Sequence, residues 1–426
     1  MQGYPPLRPL INAMLSNSPN YSLDKTRIRF LLLEGIHESA REIIEGHGYT
    51  QLEQLRRALS GAELREALQG VHFLGIRSRS QVDAAAIAAA DRLAAVGCFC
   101  IGTNQVDLGA AERAGVPVFN APFSNTRSVA ELALAETIML MRGIPRRSAA
   151  AHRGEWLKSA AHSHEVRGKT LGIIGYGHIG SQLGIMAESL GMRVLFHDIE
   201  NKLPLGNAAS SPDLWVLLRE SHVVSLHVPE TPLTRAMADA RFIRAMQPGA
   251  FLINASRGTV VDIDALADAL ESGQVAGAAI DVFPVEPGSN SEIFQSRLRG
   301  MDNVILTPHI GGSTKEAQQN IAVEVAGKLV KYSDNGTTRS AVNFPQVSLP
   351  DHENASRILH IHRNEPGVLQ QINRVFSEQK VNIASQYLDT NGDIGYVVMD
   401  IETADPQSLL EGLRDIPATI RARILH

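Results

Sequence analysis

The segment at residues 169–180 restricts the possible folds of this chain more than any other stretch, and it reads KTLGIIGYGHIG. Leu171–Ile174 is a short apolar run typical of a buried parallel strand, and a helical pattern follows the glycines. In this order, Gly175 permits a tight turn, Gly177 lets the backbone approach a pyrophosphate, and Gly180 allows the helix to pack closely on the strand. The segment therefore predicts a dinucleotide-binding unit.

A second apolar run, Val194–Phe196, ends close to Asp198. A carboxylate at this point binds the ribose hydroxyls of NAD and repels the 2′-phosphate of NADP, so NAD is the predicted cofactor. Lys202, close behind Asp198, leaves open some use of NADP. The residues predicted to contact the cofactor in this unit are Gly175, Tyr176, Gly177, His178, Ile179, Gly180 and Asp198.

Strand patterns alternate with helical patterns along most of the chain. At 426 residues the chain is too long for one compact core, so we expect about two or three domains. The alternation predicts an α/β architecture, with a doubly wound parallel-sheet (Rossmann) domain for the cofactor and a flavodoxin-like domain for the substrate. A strand is expected at Ile28–Leu33 and a helical pattern around Leu52–Leu59.

The C-terminal segment has the order strand, helix, strand, strand, helix, strand, between Arg357 and Leu425. This βαββαβ order predicts a ferredoxin-like sandwich that forms a small regulatory module. The predicted domains are an N-terminal extension at 1–24, a substrate domain at 25–124 and 312–349, an NAD-binding domain at 125–311 and a regulatory domain at 350–426.

The net charge and the cysteine content indicate which partners the chain can bind and in which cellular compartment we expect it. A formal net charge of −5 provides no attraction to nucleic acid or to an anionic membrane, and no apolar run is long enough to span a bilayer. The only cysteines are Cys98 and Cys100, which are poorly placed to bridge each other and too few for a zinc site. We therefore expect buried free thiols and a cytoplasmic protein.

Three loops that follow predicted strands supply Arg257, Glu286 and His309. Ligands of such sheets bind beyond the carboxyl ends of the strands, which is where these loops lie. Oxidation of an H–C–OH group needs a base for the hydroxyl proton, and a histidine oriented by a carboxylate suits that role. A guanidinium binds the planar carboxylate of a 2-hydroxy acid through two hydrogen bonds. Taken singly, each residue could instead be an ordinary surface arginine, loop glutamate or capping histidine.

Six short motifs are typical of one enzyme family: NAP at 120–122, VAE at 129–131, GYG at 175–177, NASRG at 254–258, IDVF at 280–283 and TPH at 307–309. Through them the chain resembles the NAD-dependent D-2-hydroxyacid dehydrogenases, from about residue 25 to its C-terminus. The resemblance implies that Arg257 binds the substrate carboxylate and that Glu286 pairs with the catalytic His309. It implies that Asp281 holds the nicotinamide carboxamide, and that Ala255, Arg257 and His309 also contact the cofactor.

Within this family, the chain resembles the shorter members that have one C-terminal ACT domain and act on a phosphorylated 2-hydroxy acid. The segment 76–81 lies where a substrate loop is expected, and its two arginines and hydroxyls suit a phosphate ester. A solvated basic turn would have the same composition. The predicted substrate residues are Arg77, Ser78, Arg79, Asn125, Lys158 and Arg257.

The ACT segment His360–Leu369, followed by Val381–Ile383, resembles an effector-binding loop of the serine-inhibited members. In those enzymes L-serine binds across a two-fold interface between ACT domains. The residues implied here are His362, Asn364 and Asn382. A structural ACT domain that has lost its effector is the alternative.

The resemblance also implies a homotetramer, in which Trp156 packs into a neighbouring subunit and Lys158 reaches a neighbour's active site. Two other functions remain open at this stage. One is a dehydrogenase for another D-2-hydroxy acid, which includes reduction of 2-oxoglutarate. The other is a nucleotide-sensing corepressor of the kind built on this scaffold, although such proteins lack the ACT domain.

Overall fold

The computed structural model describes residues 24–287, 291–350, 356–402 and 406–425, so the predicted extension at 1–24 lies outside the described residues apart from Asp24. The chain forms two compact units. Unit 1 contains the chain up to Pro122 and again from Ile321, and unit 2 contains Phe123–Asn320. The chain therefore passes between the units twice.

Unit 1 begins with a parallel α/β sheet. Its strands are β1 (Arg29–Leu32), β2 (Gln51–Gln54), β3 (Phe73–Ile76), β4 (Ala95–Cys98) and β5 (Val118–Asn120). Its helices are α1 (Ser39–Gly46), α2 (Gly61–Ala67), α3 (Ala84–Ala89) and α4 (Leu108–Arg113). The strand order is β2-β1-β3-β4-β5, which is the flavodoxin-like order, and this part of the predicted fold class is confirmed.

The helical pattern expected around Leu52–Leu59 is wrong, because this segment begins with the strand β2. β2 pairs in parallel with β1, with Leu52 opposite Phe30. The side chains of Gln51 and Glu53 are exposed, so this short edge strand has too few apolar residues to be recognised from sequence. Its pairing with β1, a contact between distant residues, decides its conformation.

Unit 2 contains the cofactor fold. Its strands are β6 (Thr170–Ile174), β7 (Arg193–His197), β8 (Ala209–Ser210), β9 (Val223–Leu226), β10 (Ala250–Asn254), β11 (Val275–Ile280) and β12 (Val304–Leu306). Its helices are α5 (Thr126–Met141), α6 (Ile144–His152), α7 (His178–Ser189), α8 (Leu214–Glu220), α9 (Ala240–Ala245) and α10 (Ile263–Glu271). All strand pairs are parallel, in the order β12-β11-β10-β9-β6-β7-β8. The order reverses between β6 and β9, where such sheets bind ligands at the carboxyl ends of their strands.

The helix α11 (Lys315–Asn335) contains the second crossing between the units and leads to the C-terminal sheet. That sheet consists of β13 (Ser356–Arg363), β14 (Ile383–Thr390), β15 (Ile394–Ile401) and β16 (Thr419–Leu425), with helices α12 (Val368–Glu378) and α13 (Pro406–Arg414). The antiparallel order β14-β15-β13-β16 confirms the predicted ferredoxin-like sandwich.

Cys98 is buried in β4 and Cys100 is half-buried just beyond it, and neither forms a disulfide. Burial raises the pKa of the Cys98 thiol well above its ordinary value, so this residue stays protonated and unreactive. A cytoplasmic location, which these thiols led us to expect, stays a prediction. Within the described ranges, no helix is both long and apolar enough to cross a bilayer.

Candidate active site

The three glycines after β6 have different surroundings. Gly175 has φ 89°, and a Cβ built on it would lie 2.3 Å from the His227 carbonyl oxygen. A Cβ on Gly180 would lie 2.3 Å from the Gly175 carbonyl oxygen, so α7 packs directly on the turn. No atom lies within 4 Å of the corresponding position on Gly177, the residue before α7. Open space therefore faces the first N–H groups of α7, which suits a pyrophosphate.

Asp198 follows β7 and organises the glycine turn. One carboxylate oxygen accepts a hydrogen bond from the Tyr176 N–H at 2.8 Å, and the other accepts one from the Glu200 N–H at 2.9 Å. The Tyr176 ring is buried and stacks on Phe196 at a centroid distance of 3.9 Å, so only its backbone faces the turn. Lys202 pairs with Glu200, which lowers its availability to a 2′-phosphate.

The loop after β10 is folded by the side chain of Asn254. Its amide nitrogen donates to the Arg257 carbonyl at 3.0 Å, and its amide oxygen accepts from the Ser256 N–H at 3.1 Å. A Cβ on Gly258 would lie 2.0 Å from the Phe283 carbonyl carbon. The absence of a side chain on Gly258 thus lets the Arg257 loop pack against the loop that contains Glu286.

His309 and Glu286 form a hydrogen-bonded pair. His309 Nδ1 lies 2.9 Å from a carboxylate oxygen of Glu286, whose other oxygen accepts from the Phe283 N–H at 3.1 Å. The His309 backbone has φ 53°, a conformation unusual outside glycine, and its N–H donates to the Asp281 carbonyl at 2.8 Å. The strained backbone and the carboxylate together define the position of the imidazole.

The hydrogen bond between His309 and Glu286 shifts the pKa of both side chains. The hydrogen bond to Glu286 raises the pKa of His309 above its ordinary value, and partial burial opposes that rise less strongly. Burial by itself raises the pKa of Glu286, but the hydrogen bonds from His309 and Phe283 hold it below its ordinary value. Glu286 is therefore ionised at neutral pH, and His309 binds its proton more tightly than a free imidazole does.

Asp281 anchors the loop that contains His309. Its buried carboxylate accepts hydrogen bonds from the Thr307 hydroxyl at 2.7 Å, the Ile310 N–H at 2.7 Å and the Gly311 N–H at 2.8 Å. The residue predicted to hold the nicotinamide carboxamide thus also fixes both sides of His309. Because three donors already bind this carboxylate, any contact with a cofactor uses its remaining lone pairs.

Sequence analysis missed a second buried carboxyl group in unit 2. Glu136 in α5 is buried, and neither of its carboxyl oxygens has a hydrogen-bond partner among the described residues. Burial, with the charge of Asp281, raises the pKa of Glu136 to about 8, so it is protonated at neutral pH. The available signal was that Glu136 is the one charged residue within the apolar stretch Leu132–Met141 of α5. The predicted substrate residue Asn125 is also buried, and a Cβ on Gly312 would lie 2.4 Å from its amide nitrogen.

The predicted phosphate loop lies in unit 1 and is built around Glu34, which sequence analysis also missed. The buried carboxylate of Glu34 accepts hydrogen bonds from the N–H groups of Arg77 and Arg79 at 3.0 Å each and of Ser80 at 2.9 Å. The Arg77 side chain is half-buried and makes no ion pair within the described part of the chain. Ser78 is exposed.

The predicted effector residues are not brought together within one chain. His362 is buried in β13 opposite Gly395, and the Asn364 amide donates to the Asn391 carbonyl at 2.8 Å. Asn382 precedes β14, whose first residue pairs with Ile401. Gly395 and Ile401 are six residues apart on β15, which corresponds to about 20 Å. A site that contains all three residues therefore needs two chains.

Residues 134–311 match the NAD binding domain of the D-isomer specific 2-hydroxyacid dehydrogenases, and residues 358–421 match the AHAS small subunit-like ACT domain. The chain is 62% identical over 405 residues to the D-3-phosphoglycerate dehydrogenase of Haemophilus influenzae, covering 95% of this chain and 99% of the relative. It is 60% identical over 407 residues to the protein of that name from Escherichia coli K12, with coverages of 95% and 99%.

Solved structures share the fold of the dehydrogenase part. A D-lactate dehydrogenase from Aquifex aeolicus, complexed with NAD and lactic acid, is 25% identical with a TM-score of 0.65, covering 75% of this chain and 100% of that one. A protein of known structure from Thermus thermophilus, TT0316, is 31% identical with a TM-score of 0.63, covering 71% and 96%. The predicted NAD cofactor is confirmed by the matched domain, and the glycine turn and Asp198 fit it.

Proposed function

Because this chain belongs to the D-isomer specific 2-hydroxyacid dehydrogenase family, and within it to the D-3-phosphoglycerate dehydrogenases, we propose that it oxidises 3-phospho-D-glycerate to 3-phosphohydroxypyruvate, the first step of L-serine biosynthesis. The chain is an NAD-dependent dehydrogenase. The observation that supports the chemistry is the hydrogen-bonded pair of His309 and Glu286, next to the loop of Arg257.

Each catalytic side chain has one task in this proposal. Nδ1 of His309 donates its hydrogen to Glu286, so Nε2 is the nitrogen that accepts the C2 hydroxyl proton. Arg257 binds the substrate carboxylate through its guanidinium fork and so orients the C2–H bond. When bound, NAD accepts the hydride from C2. Glu286 stabilises the imidazolium that forms on His309, because its carboxylate stays ionised.

The first experiment measures NADH formation from NAD and 3-phospho-D-glycerate. We expect turnover with this substrate and a lower kcat/KM with D-lactate or D-glycerate, which lack the phosphate. Activity with another 2-hydroxy acid and none with 3-phospho-D-glycerate would contradict the substrate assignment but retain the dehydrogenase.

Glu286→Gln should shift the acidic limb of the pH profile for oxidation to lower pH. His309 must be neutral to accept a proton, and the Glu286 carboxylate raises its pKa, so removing that charge lowers the pH at which the base becomes neutral. The measurement is kcat/KM for oxidation between about pH 5 and 9, a range that brackets the ordinary histidine pKa. Glu220→Gln, which removes an exposed carboxylate at the end of α8, is the control. If the acidic limb stayed at the same pH in Glu286→Gln, the group that titrates there would not be His309.

Arg77→Ala should raise KM for 3-phosphohydroxypyruvate by about tenfold or more, and raise KM for 2-oxoglutarate much less. We propose that Arg77 and Arg79 bind the phosphate, and a guanidinium contact to a phosphate dianion contributes more than one to a carboxylate. Steady-state reduction of both substrates with NADH provides the comparison, with Arg92→Ala, at an exposed arginine elsewhere in unit 1, as the matched control. Equal effects on the two substrates would contradict the phosphate assignment.

We propose that L-serine inhibits the enzyme by binding between two ACT domains, to His362 and Asn364 of one chain and Asn382 of a second. The distance between these residues within one chain supports a shared site. Asn382→Ala should abolish inhibition by millimolar L-serine without changing kcat, whereas Asn373→Ala, exposed on α12, should retain it. If L-serine did not inhibit the wild-type enzyme, the effector assignment of the three residues would be contradicted, and their role would be structural.

We also propose a homotetramer. The Trp156 side chain is 85% exposed, which is unusual for a residue of this size, and burial against a second subunit would remove it from water. Lys158 lies in the same exposed segment, where the family resemblance has it reach a neighbour's active site. Light scattering of the purified enzyme measures the number of subunits.

A further inference from the structure

A cavity lined by cations lies in unit 1, beside the edge strand β5. Its volume is about 270 Å³, roughly nine times the volume that one water molecule occupies in the liquid. None of the residues predicted to bind substrate, NAD or serine lines it. The lining residues are Phe119, Lys328, Lys331, Thr337, Arg339 and Ser340.

Two of the three cations around this cavity are not neutralised. Lys328 pairs with Glu324 at 2.6 Å and donates a hydrogen bond to the Asn120 carbonyl at 2.7 Å. In the described ranges of the chain, no carboxylate lies within 4.0 Å of Lys331 or Arg339. A concave surface with two uncompensated positive charges attracts an anion more strongly than scattered surface lysines do.

The segment after α11 holds the other donors in place. Thr337 is buried, and its hydroxyl oxygen accepts from the Leu349 N–H at 3.2 Å, which leaves the hydroxyl hydrogen free to donate. The neighbouring Thr338 hydroxyl donates to the Pro345 carbonyl at 2.7 Å. Ser340 has φ 64°, a backbone conformation that costs energy outside glycine and that clusters at ligand sites. These contacts fix the backbone of 337–340, from which the exposed side chain of Arg339 projects, while Lys331 is exposed on α11.

We propose that this cavity binds a small organic phosphate. A phosphate monoester carries close to two negative charges at neutral pH, which matches the two uncompensated cations, whereas one carboxylate would leave a cation unmatched. The guanidinium of Arg339 binds two phosphate oxygens, Lys331 supplies the second charge and Thr337 donates a hydrogen bond. The cavity is larger than one phosphate group, and the Phe119 ring borders the remaining space for a carbon skeleton.

Two parts of unit 1 that are distant in the sequence meet at the cavity. Asn120, whose carbonyl binds Lys328, precedes the first crossing by two residues. Lys328 and Lys331 lie on α11, which contains the second crossing. A phosphate bound here would therefore contact two segments of unit 1 that are far apart in the chain.

The test is calorimetric titration of the NADH-bound full chain with inorganic phosphate at low ionic strength. The variant Lys331→Gln/Arg339→Gln should weaken phosphate affinity at this site by about tenfold or more. Arg77→Gln/Arg257→Gln, which removes the proposed reaction site, should retain it, and Arg219→Gln is a control on an exposed helix of unit 2.

Two results would overturn the proposal: equal phosphate affinity in the wild type and the Lys331→Gln/Arg339→Gln variant, or complete loss of binding in Arg77→Gln/Arg257→Gln. The thermal transition of every variant, together with the turnover of those that retain Arg77 and Arg257, establishes that they are folded. Arg339→Lys, which keeps the positive charge, should retain part of the phosphate affinity. This variant separates a loss of binding from a folding defect. Since no turnover is needed for binding, a failure of the proposed reaction would not affect this outcome.

Discussion

Replacing His309 by alanine should lower kcat with 3-phospho-D-glycerate by about 100-fold or more, while the affinity for NADH stays close to that of the wild type. In the proposed mechanism the variant lacks the nitrogen that accepts the hydroxyl proton, so the proton must leave to water. In our proposal the cofactor is held mainly by the glycine turn at 175–180 and by Asp198, which the substitution leaves unchanged. Steady-state oxidation rates and a fluorescence titration with NADH measure the two quantities.

The matched control is His164→Ala, which removes an exposed histidine of the same unit. Its kcat and NADH affinity should both equal those of the wild type. If His309→Ala also turned over at the wild-type rate, His309 would not be the base. If it lost NADH affinity as well, the histidine would serve the cofactor site in addition to the proton transfer.

Arg357→Met should lower the free energy of opening of the C-terminal sheet by about 3–5 kcal/mol, because it leaves a buried carboxylate without its partner. The buried guanidinium of Arg357 binds both carboxylate oxygens of Asp400, at 2.6 and 2.9 Å. It also donates to the carbonyls of Asn335 at 3.1 Å and Pro350 at 2.9 Å. Native-state hydrogen exchange of the β13 and β15 amides measures this free energy.

Two further variants separate the buried charge from the loss of a large side chain. Arg374→Met removes an exposed ion pair with Glu378 and should change the opening free energy by no more than about 1 kcal/mol. Arg357→Met/Asp400→Leu removes both buried charges and should recover much of the loss. If the double variant were as unstable as Arg357→Met, the loss of stability would come from packing alone and not from the unpaired buried charge.

Local patterns were sufficient for most of the fold. Leu171–Ile174 is entirely buried as β6, and the βαββαβ order of the C-terminal sheet was recognisable because each element has its own periodicity. The strand β2 was not recognisable, since its side chains alternate between exposed and half-buried positions at a sheet edge. Its partner β1 lies about twenty residues earlier in the chain, beyond the range of any local pattern.

The candidate catalytic residues could also be selected from sequence, because Arg257, Glu286 and His309 each follow a predicted strand and parallel strands end at one edge. The contacts that position the predicted site residues could not be recognised in this way. Glu34, under the predicted phosphate loop, is a charged side chain with no local sign of burial. The hydrogen bonds that Asp281 accepts join residues 26 to 30 positions apart in the chain.

The sequence by itself therefore determined most of the elements, the cofactor unit and a set of candidate reactive side chains, because these depend on residue type and on spacing over a few turns. Only the tertiary structure decided that His309 and Glu286 are hydrogen-bonded, that Asn382 lies far from His362 within one chain, and that Lys331 and Arg339 border one cavity. Such proximities depend on how distant segments pack, and the energy of that packing depends on several segments together and not on any one of them.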